Sequence, residues 1–368
     1  MDFDLSRDQQ EIKGVARELL AARSPFAKVR EAAEAAAYDP ALWAELVELG
    51  WPGIAVAEEY GGQGLGAVEL AVLAEELGYA CAATPFLSTA TAAAVIQTNG
   101  SDEQRARWLP GLASGELTAG IGTRGLAADA AGAAIVLVID DNGGGVGVGS
   151  GRGDTDGRDG DGAVQLIESP ETEPFVSIDP TRRFATVAGA AEPLGGDARD
   201  TLDPSESMPP GSTGAAARIR AAIAAEVVGV CQRALDMTLA YVKERKQFSV
   251  PVGSFQAVSH RCAEMLLHTE SARATAYHAA WAADAEPLLL AEAAALAAAA
   301  AADGGQSVTA SAIQMHGGVG FTWEADVHWL YKRAQLDTAL LGGAKRHRAA
   351  LARHAATKVA RQAAVAAG

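Results

Sequence analysis

The sequence predicts a mainly α protein of the α+β class, with a helical start, a strand-bearing middle and a helical remainder. Apolar residues recur at helical spacing through long alanine-rich runs at 215–241 and 263–312, and alanine is the strongest helix former. Strand character is confined to the middle, where A-I-V-L-V-I-D (134–140) is a continuous apolar run with β-branched residues. The 368 residues are enough for two or three domains around a large core.

In chain order, Ser6 caps a first helix with Asp8, Gln9 and Gln10 in its opening turn and Ile12, Val15, Leu19 and Leu20 on its apolar face. A second helix covers roughly Pro40 to Leu49. A glycine-punctuated loop, W-P-G-I-A-V-A-E-E-Y-G-G-Q-G-L-G (51–66), leads to a helix at 67–78, and Ser101–Glu116 reads as helix and turn. After the 134–140 strand, residues 142–162 are rich in glycine and aspartate. Such a stretch buries too little surface to offset its ordering entropy and is expected to be a mobile loop. Short strands are expected at Ala163–Glu168 and Phe184–Ala188, then a Pro/Ser-rich linker at 203–213. From Ala215 onward four or five long helices run to the end.

The formal charge of −16 argues against a nucleic-acid partner, which would need a basic face, but permits an anionic ligand held by a local cationic patch. Cys81, Cys231 and Cys262 lie in apolar periodic segments without metal-ligand spacing and are expected to be buried, reduced thiols. No metal site is expected: His260, His316 and His328 sit on or beside helices without ligand spacing, and His347, within K-R-H-R (345–348), reads as part of a solvated helix face. The N-terminus has neither a basic region nor an apolar signal core, and the alanine run 288–302 reads as too short and too weakly apolar to cross a membrane. A cytoplasmic protein is expected.

Two stretches carry the functional reading. The first, E-R-K-Q-F-S-V-P-V-G-S-F-Q-A-V-S-H-R-C-A-E-M (244–265), ends one helix, turns at Pro251 and Gly253, and starts another with Ser254 as candidate cap. A basic pair at a helix end beside an exposed turn suits an anion. This stretch resembles the E-R-x-Q-F-G-x-P-I-x-x-F-Q corner of the acyl-CoA dehydrogenase family. The second, Q-M-H-G-G-V-G-F-T-W-E-A-D-V-H-W-L-Y-K-R-A (314–334), resembles that family's Q-x-x-G-G-x-G-F corner. The 51–66 loop resembles its P-E-x-Y-G-G-x-G loop, with Ala57 where proline is usual, and D-P-T-R-R-F-A-T-V (179–187) is similar to it as well.

The resemblance implies an N-terminal helical domain (1–118), a shortened β-domain (119–205) containing the 142–162 loop, and a C-terminal four-helix bundle (215–368). It implies FAD as cofactor, shared across a subunit interface, with Arg245, Phe248, Gln256, Gln314, Gly317 and Gly318 donated to the flavin of a neighbouring chain. Guanidinium forks suit a diphosphate, amides suit an adenosine edge, and glycines permit close backbone approach. The family's Thr-Glu-Pro and Gly-Ser-Asp elements, which line a chain's own flavin, are missing from A-G-I-G-T-R-G-L-A-A-D-A-A-G (119–132). The family also removes an α-proton with a glutamate. The two positions that carry it in different members fall on Leu341 and Ile219 here, and neither can hold a proton. Glu226, seven residues after Ile219 on the same helix face, is the one weak substitute.

The resemblance therefore implies a subunit without a catalytic residue. Such a chain would pair with a related acyl-CoA dehydrogenase chain in a heterotetramer acting on an acyl-CoA such as a steroid side-chain thioester, with electron-transfer flavoprotein as reoxidant. The alternatives are a self-sufficient flavoenzyme with a relocated base or different flavin chemistry, and a non-enzymatic assembly subunit.

Overall fold

A computed structural model describes residues 4–140, 163–195 and 212–367. The first helix, α1 (Arg7–Arg23), begins at Ser6 as expected. The Ser6 hydroxyl accepts from the Gln9 backbone N–H (3.2 Å), and the Gln9 side-chain oxygen accepts from the Ser6 N–H (2.9 Å). Asp39 caps α3 (Pro40–Glu48) and Ser101 caps α6 (Asp102–Ala113), again at the places the sequence marks. Between them α4 (Ala67–Ala80) runs two residues beyond the expected span. Two helices carry no such signal: α2 (Phe26–Ala35) and α5 (Phe86–Asn99). Helix α5 is buried on all sides from Phe86 to Ile96, so its sequence lacks the apolar stripe that reveals a half-exposed helix.

The middle of the chain forms a seven-stranded sheet among the described residues. Its strands are β1 (Ala119–Thr123), β2 (Leu126–Ala128), β3 (Ile135–Asp140), β4 (Ala163–Glu168), β5 (Glu171–Pro174), β6 (Ala185–Ala188) and β7 (Ala191–Pro193). Their order is β5-β6-β2-β1-β3-β4-β7, with β1 and β3 parallel (Ala119 opposite Ile135) and the other pairs antiparallel. The apolar run expected as a strand is β3, buried on both faces. Strand β1 hides from pattern reading because A-G-I-G-T alternates glycine with apolar residues. The glycine-rich stretch 142–162, expected to be mobile, and linker residues 203–211 lie outside the described residues.

Helices α7 (Ser212–Glu244), α8 (Gln256–Ala285), α9 (Leu290–His316) and α10 (Val327–Leu341) pack as the expected bundle, with α9 touching the other three and α11 (Ala344–Ala367) lying along it. Helix α4 packs on α7 so closely that a Cβ at Gly78 would overlap the Glu226 carbonyl, and one at Gly229 the Glu75 carbonyl. Alanine and glycine thus set the helix spacing, and the dense packing gives one large core through the bundle, with two smaller clusters in the N-terminal helices and on the other face of the sheet. Three local readings are corrected. The Ser254 hydroxyl does not cap α8; it donates to the Pro251 carbonyl (2.7 Å), and the cap position is Phe255. His347 is buried at 3% exposure, its Nε2–H donating to the Leu341 carbonyl at the end of α10 (2.6 Å), so the basic cluster is not simply a solvated face. The 288–302 run belongs to a helical segment long and apolar enough to span a membrane, but most of it is buried inside the bundle, as a core helix is. The three cysteines are free and buried, and burial pushes the thiols of Cys81 and Cys231 up to about 12.

Candidate functional site

Helix α7 ends where Arg245 N–H reaches the Tyr241 carbonyl (2.8 Å). A two-residue hairpin follows, β8 (Lys246–Gln247) against β9 (Val250–Pro251), turning through positive φ at Phe248 (53°) and Ser249 (67°). The turn throws Phe248 outward, 89% exposed, with its ring edge-on to Phe255 at 6.3 Å. Arg245 and Gln256 are exposed beside it, and among the described residues no carboxylate comes within 4 Å of the Arg245 guanidinium.

The second corner closes α9. Gly317 takes φ +63°, a conformation other residues adopt only with strain. A Cβ added to Gly317 or Gly318 would meet nothing within 4 Å, whereas one at Gly320 would collide with the Ile313 carbonyl. Gly320 is therefore needed by the fold itself, while the backbone at 317–318 faces open space. The corners share one end of the bundle: the Tyr241 ring at the end of α7 stacks on His316 at 4.5 Å. His316 Nδ1–H donates to the Ala312 carbonyl (2.7 Å), and burial lowers its pKa, so it serves as a neutral spacer. Gln314 is exposed on the same turn. All six residues assigned from the sequence thus lie on exposed backbone at the ends of neighbouring helices.

The proposed base positions are different. Ile219 (0% exposed) and Leu341 (2%) are core residues. Glu226 is buried, one oxygen on Arg333 Nη1 (2.9 Å) and the other on Arg182 Nη2. Around it lies a cluster the sequence reading did not anticipate. Arg333, fully buried, donates from Nε to Asp179 (2.6 Å) and from Nη2 to Thr181 Oγ1 (2.6 Å) and the Ala82 carbonyl (3.3 Å). Arg182 donates from Nη1 to Asp129 (3.0 Å), which accepts in turn from Tyr38 Oη (2.8 Å) and Ser88 Oγ. Burial opposes charge at Asp179, but Arg333 and the Thr181 hydroxyl overcome it and hold the carboxyl below its ordinary pKa. Asp337 responds the other way. Burial and then the Glu226 charge push its pKa far up, and its Oδ2 has no hydrogen-bond partner. The cluster fastens α7, α10 and the 179–182 segment together. Its sequence signals were Glu226, the 179–187 run, and Arg333 with Asp337, four residues apart on an otherwise apolar face of α10 with Leu330, Ala334 and Leu341.

This architecture matches solved acyl-CoA dehydrogenase structures. It matches a variant of the steroid ACAD Tcur3481-Tcur3483 at a TM-score of 0.79 and 26% identity, over 96% of this chain and 99% of that one. It matches the ChsE4-ChsE5 complex from Mycobacterium tuberculosis at 0.78 and 24% identity, over 97% and 99%. The family models for "Acyl-CoA dehydrogenase, N-terminal domain" and "Acyl-CoA dehydrogenase, C-terminal domain" match residues 6–116 and 213–356. Acyl-CoA dehydrogenase IpdE2 of Mycolicibacterium smegmatis is 33% identical over 306 residues, 83% of this chain and 85% of the relative. The chain belongs to the acyl-CoA dehydrogenase family.

Proposed function

We propose that this chain is the base-lacking subunit of a two-chain, FAD-dependent acyl-CoA dehydrogenase. In this reading it completes the flavin site of a companion chain with Arg245, Phe248, Gln256, Gln314, Gly317 and Gly318. One contrast supports it most: the flavin corner is intact, open and carries an arginine without a carboxylate partner, while both base positions hold buried apolar side chains. The residues fit a dinucleotide. Arg245 would hold a pyrophosphate as a charge-assisted fork, the amides of Gln256 and Gln314 would orient the nucleotide, and the open backbone at Gly317–Gly318 would let it approach. FAD, when bound, supplies the hydride acceptor for α,β-dehydrogenation. The α-proton would go to a glutamate of the companion. Glu226 is unsuited to that task, because two guanidiniums occupy its oxygens and it faces no open space.

The match to heteromeric relatives supports a heterotetramer, and a bulky acyl-CoA such as a steroid side-chain thioester is the substrate class those relatives suggest. Electron-transfer flavoprotein as reoxidant, a cytoplasmic setting and domain limits of 1–118, 119–205 and 215–368 complete the reading. The test is the visible spectrum and FAD content of the purified chain, alone and co-expressed with an acyl-CoA dehydrogenase chain encoded beside it. A colourless chain that gains about one FAD per unlike pair is the expected outcome under flavin transfer across an interface. One FAD per chain in the isolated protein, bleached by an acyl-CoA, would overturn it.

A further inference from the structure

A cavity of about 840 Å³ opens between α2, the 176–180 segment and the start of α10. Its size is that of a small-molecule site. Two indoles, Trp323 and Trp329, form one side, and Val176, Ile178 and Pro180 the other. Much of this apolar surface is uncovered: Val176 is 98% exposed, Trp323 74% and Ile178 52%.

The polar groups facing this space are short of acceptors. The Lys332 ammonium sits over the Trp323 ring (4.3 Å) and the Trp329 ring (4.4 Å), and among the described residues no carboxylate lies within 4 Å of it. The Trp329 indole N–H is buried without an acceptor, although the residue is only 5% exposed. Arg30 uses one Nη on Asp326 (2.6 Å) and leaves its buried Nε–H unmet. Those two donors are covered by neighbouring atoms and do not open to the cavity, so the Lys332 ammonium, with no carboxylate in reach among the described residues, is the group that favours an incoming anionic acceptor. The neighbouring His328 adds no positive charge, because burial, then Lys332 and Arg30, push it down to about 4. Glu34 and Glu324 also line the cavity but are exposed, and neither is paired with Lys332 or Arg30.

We propose that this cavity binds an amphipathic anion, its anionic head on Lys332 and its apolar body between the indoles and the Val176–Pro180 wall. Its lining includes none of the six residues assigned to flavin, and the proposal does not depend on that reading. The head could come from a free carboxylic acid or from a phosphate of coenzyme A, and the test separates the two. The purified full-length chain is titrated calorimetrically with decanoate, decanol and free coenzyme A. Decanoate binds saturably, one per chain. Lys332→Gln weakens it at least tenfold while leaving the weaker decanol binding unchanged, and Val176→Asp, which disrupts the apolar wall without touching Lys332, weakens both ligands. Thermal melts matching the parent's verify that the variants fold. Absence of saturable decanoate binding, or an affinity indifferent to Lys332→Gln, overturns the proposal. Free coenzyme A displacing decanoate at equal or better affinity overturns the requirement for an apolar body.

Discussion

Arg245 and Arg333 present the same side chain in opposite circumstances. Arg333 is fully buried, and its donors reach Asp179, Glu226, Thr181 and the Ala82 carbonyl. Arg245 stands exposed at the end of α7 with no carboxylate in reach among the described residues. A guanidinium whose donors are spent inside the chain holds the fold and is unavailable to a ligand. One whose donors are unspent costs the fold little and is available for recognition. The comparison divides the polar residues at the α7–α10 end of the molecule into fasteners and contacts, and each class fails differently when altered.

The largest effect is expected from Arg333→Met, which leaves Glu226 and Asp179 buried with one guanidinium fewer between them. Removing one partner of a buried pair typically costs ~3–5 kcal/mol. Urea denaturation should show that loss, and a midpoint within error of the parent's would mean the cluster is not a fastener. Arg245→Ala should do the reverse, with an unchanged denaturation midpoint. In the proposed complex with a companion chain, FAD affinity should fall about 10- to 100-fold, the worth of a charge-assisted contact of ~1.5–3 kcal/mol. A stability loss without a change in FAD affinity would put Arg245 among the fasteners.

The fastener side also has a pH signature. Burial and the Glu226 charge raise the Asp337 pKa above the unfolded value, which favours its protonated form in the folded state. The folded chain then binds more protons than the unfolded one between those two pKa values, so this group's contribution falls as pH rises from about 4. Asp179 has the opposite sign: its lowered pKa gives stability that is present above the unfolded value and lost as pH falls through the folded one. Asp337→Asn should therefore stabilise the chain increasingly with pH, the gap over the parent widening by up to ~1.4 kcal/mol per pH unit across that window. Denaturation at pH 5, 6, 7 and 8 reads this directly, and a gap independent of pH would mean that Asp337 is ionised in the fold.

The exposed corner was legible in the sequence as a continuous stretch, and the buried cluster only in fragments, for a physical reason. The corner is built from consecutive residues around a local turn, so the letters 244–256 and 314–321 announce it, whereas Glu226 and the 179–187 run were visible singly and their meeting was not. The cluster is assembled from distant residues: Arg333 meets Asp179 across 154 positions and Glu226 across 107, and Arg182 meets Asp129 across 53. No local periodicity records which buried acid will face which buried base. The same limit explains the helices. Ser6, Asp39 and Ser101 mark α1, α3 and α6 through local capping. Helix α5 is buried all round, and α2 has Pro25 at its cap position with no side-chain hydrogen bond, so neither offers a cue. His347 misled because a basic tetrapeptide is usually solvated, whereas here one of its members turns in to bind the end of α10.

The smallest expected effect is also the sharpest discriminator, because it separates fold from contact within one dipeptide. Gly317 has φ +63° and ψ −142°, so Gly317→Ala forces an alanine into an extended positive-φ region that is close to glycine-only, at a cost of about 1–3 kcal/mol, in addition to any loss of ligand approach. Gly318 carries no such constraint, and a Cβ there meets nothing within 4 Å among the described residues. Gly318→Ala should leave the melting temperature unchanged, and its added methyl should matter only to something that approaches from outside. If the 317–318 backbone lies against a nucleotide, Gly318→Ala lowers FAD retention in the two-chain complex by several-fold while the isolated chain behaves as the parent does. A complex that retains FAD equally well in both forms would remove Gly318 from the contact set and leave Gly317 as a turn glycine.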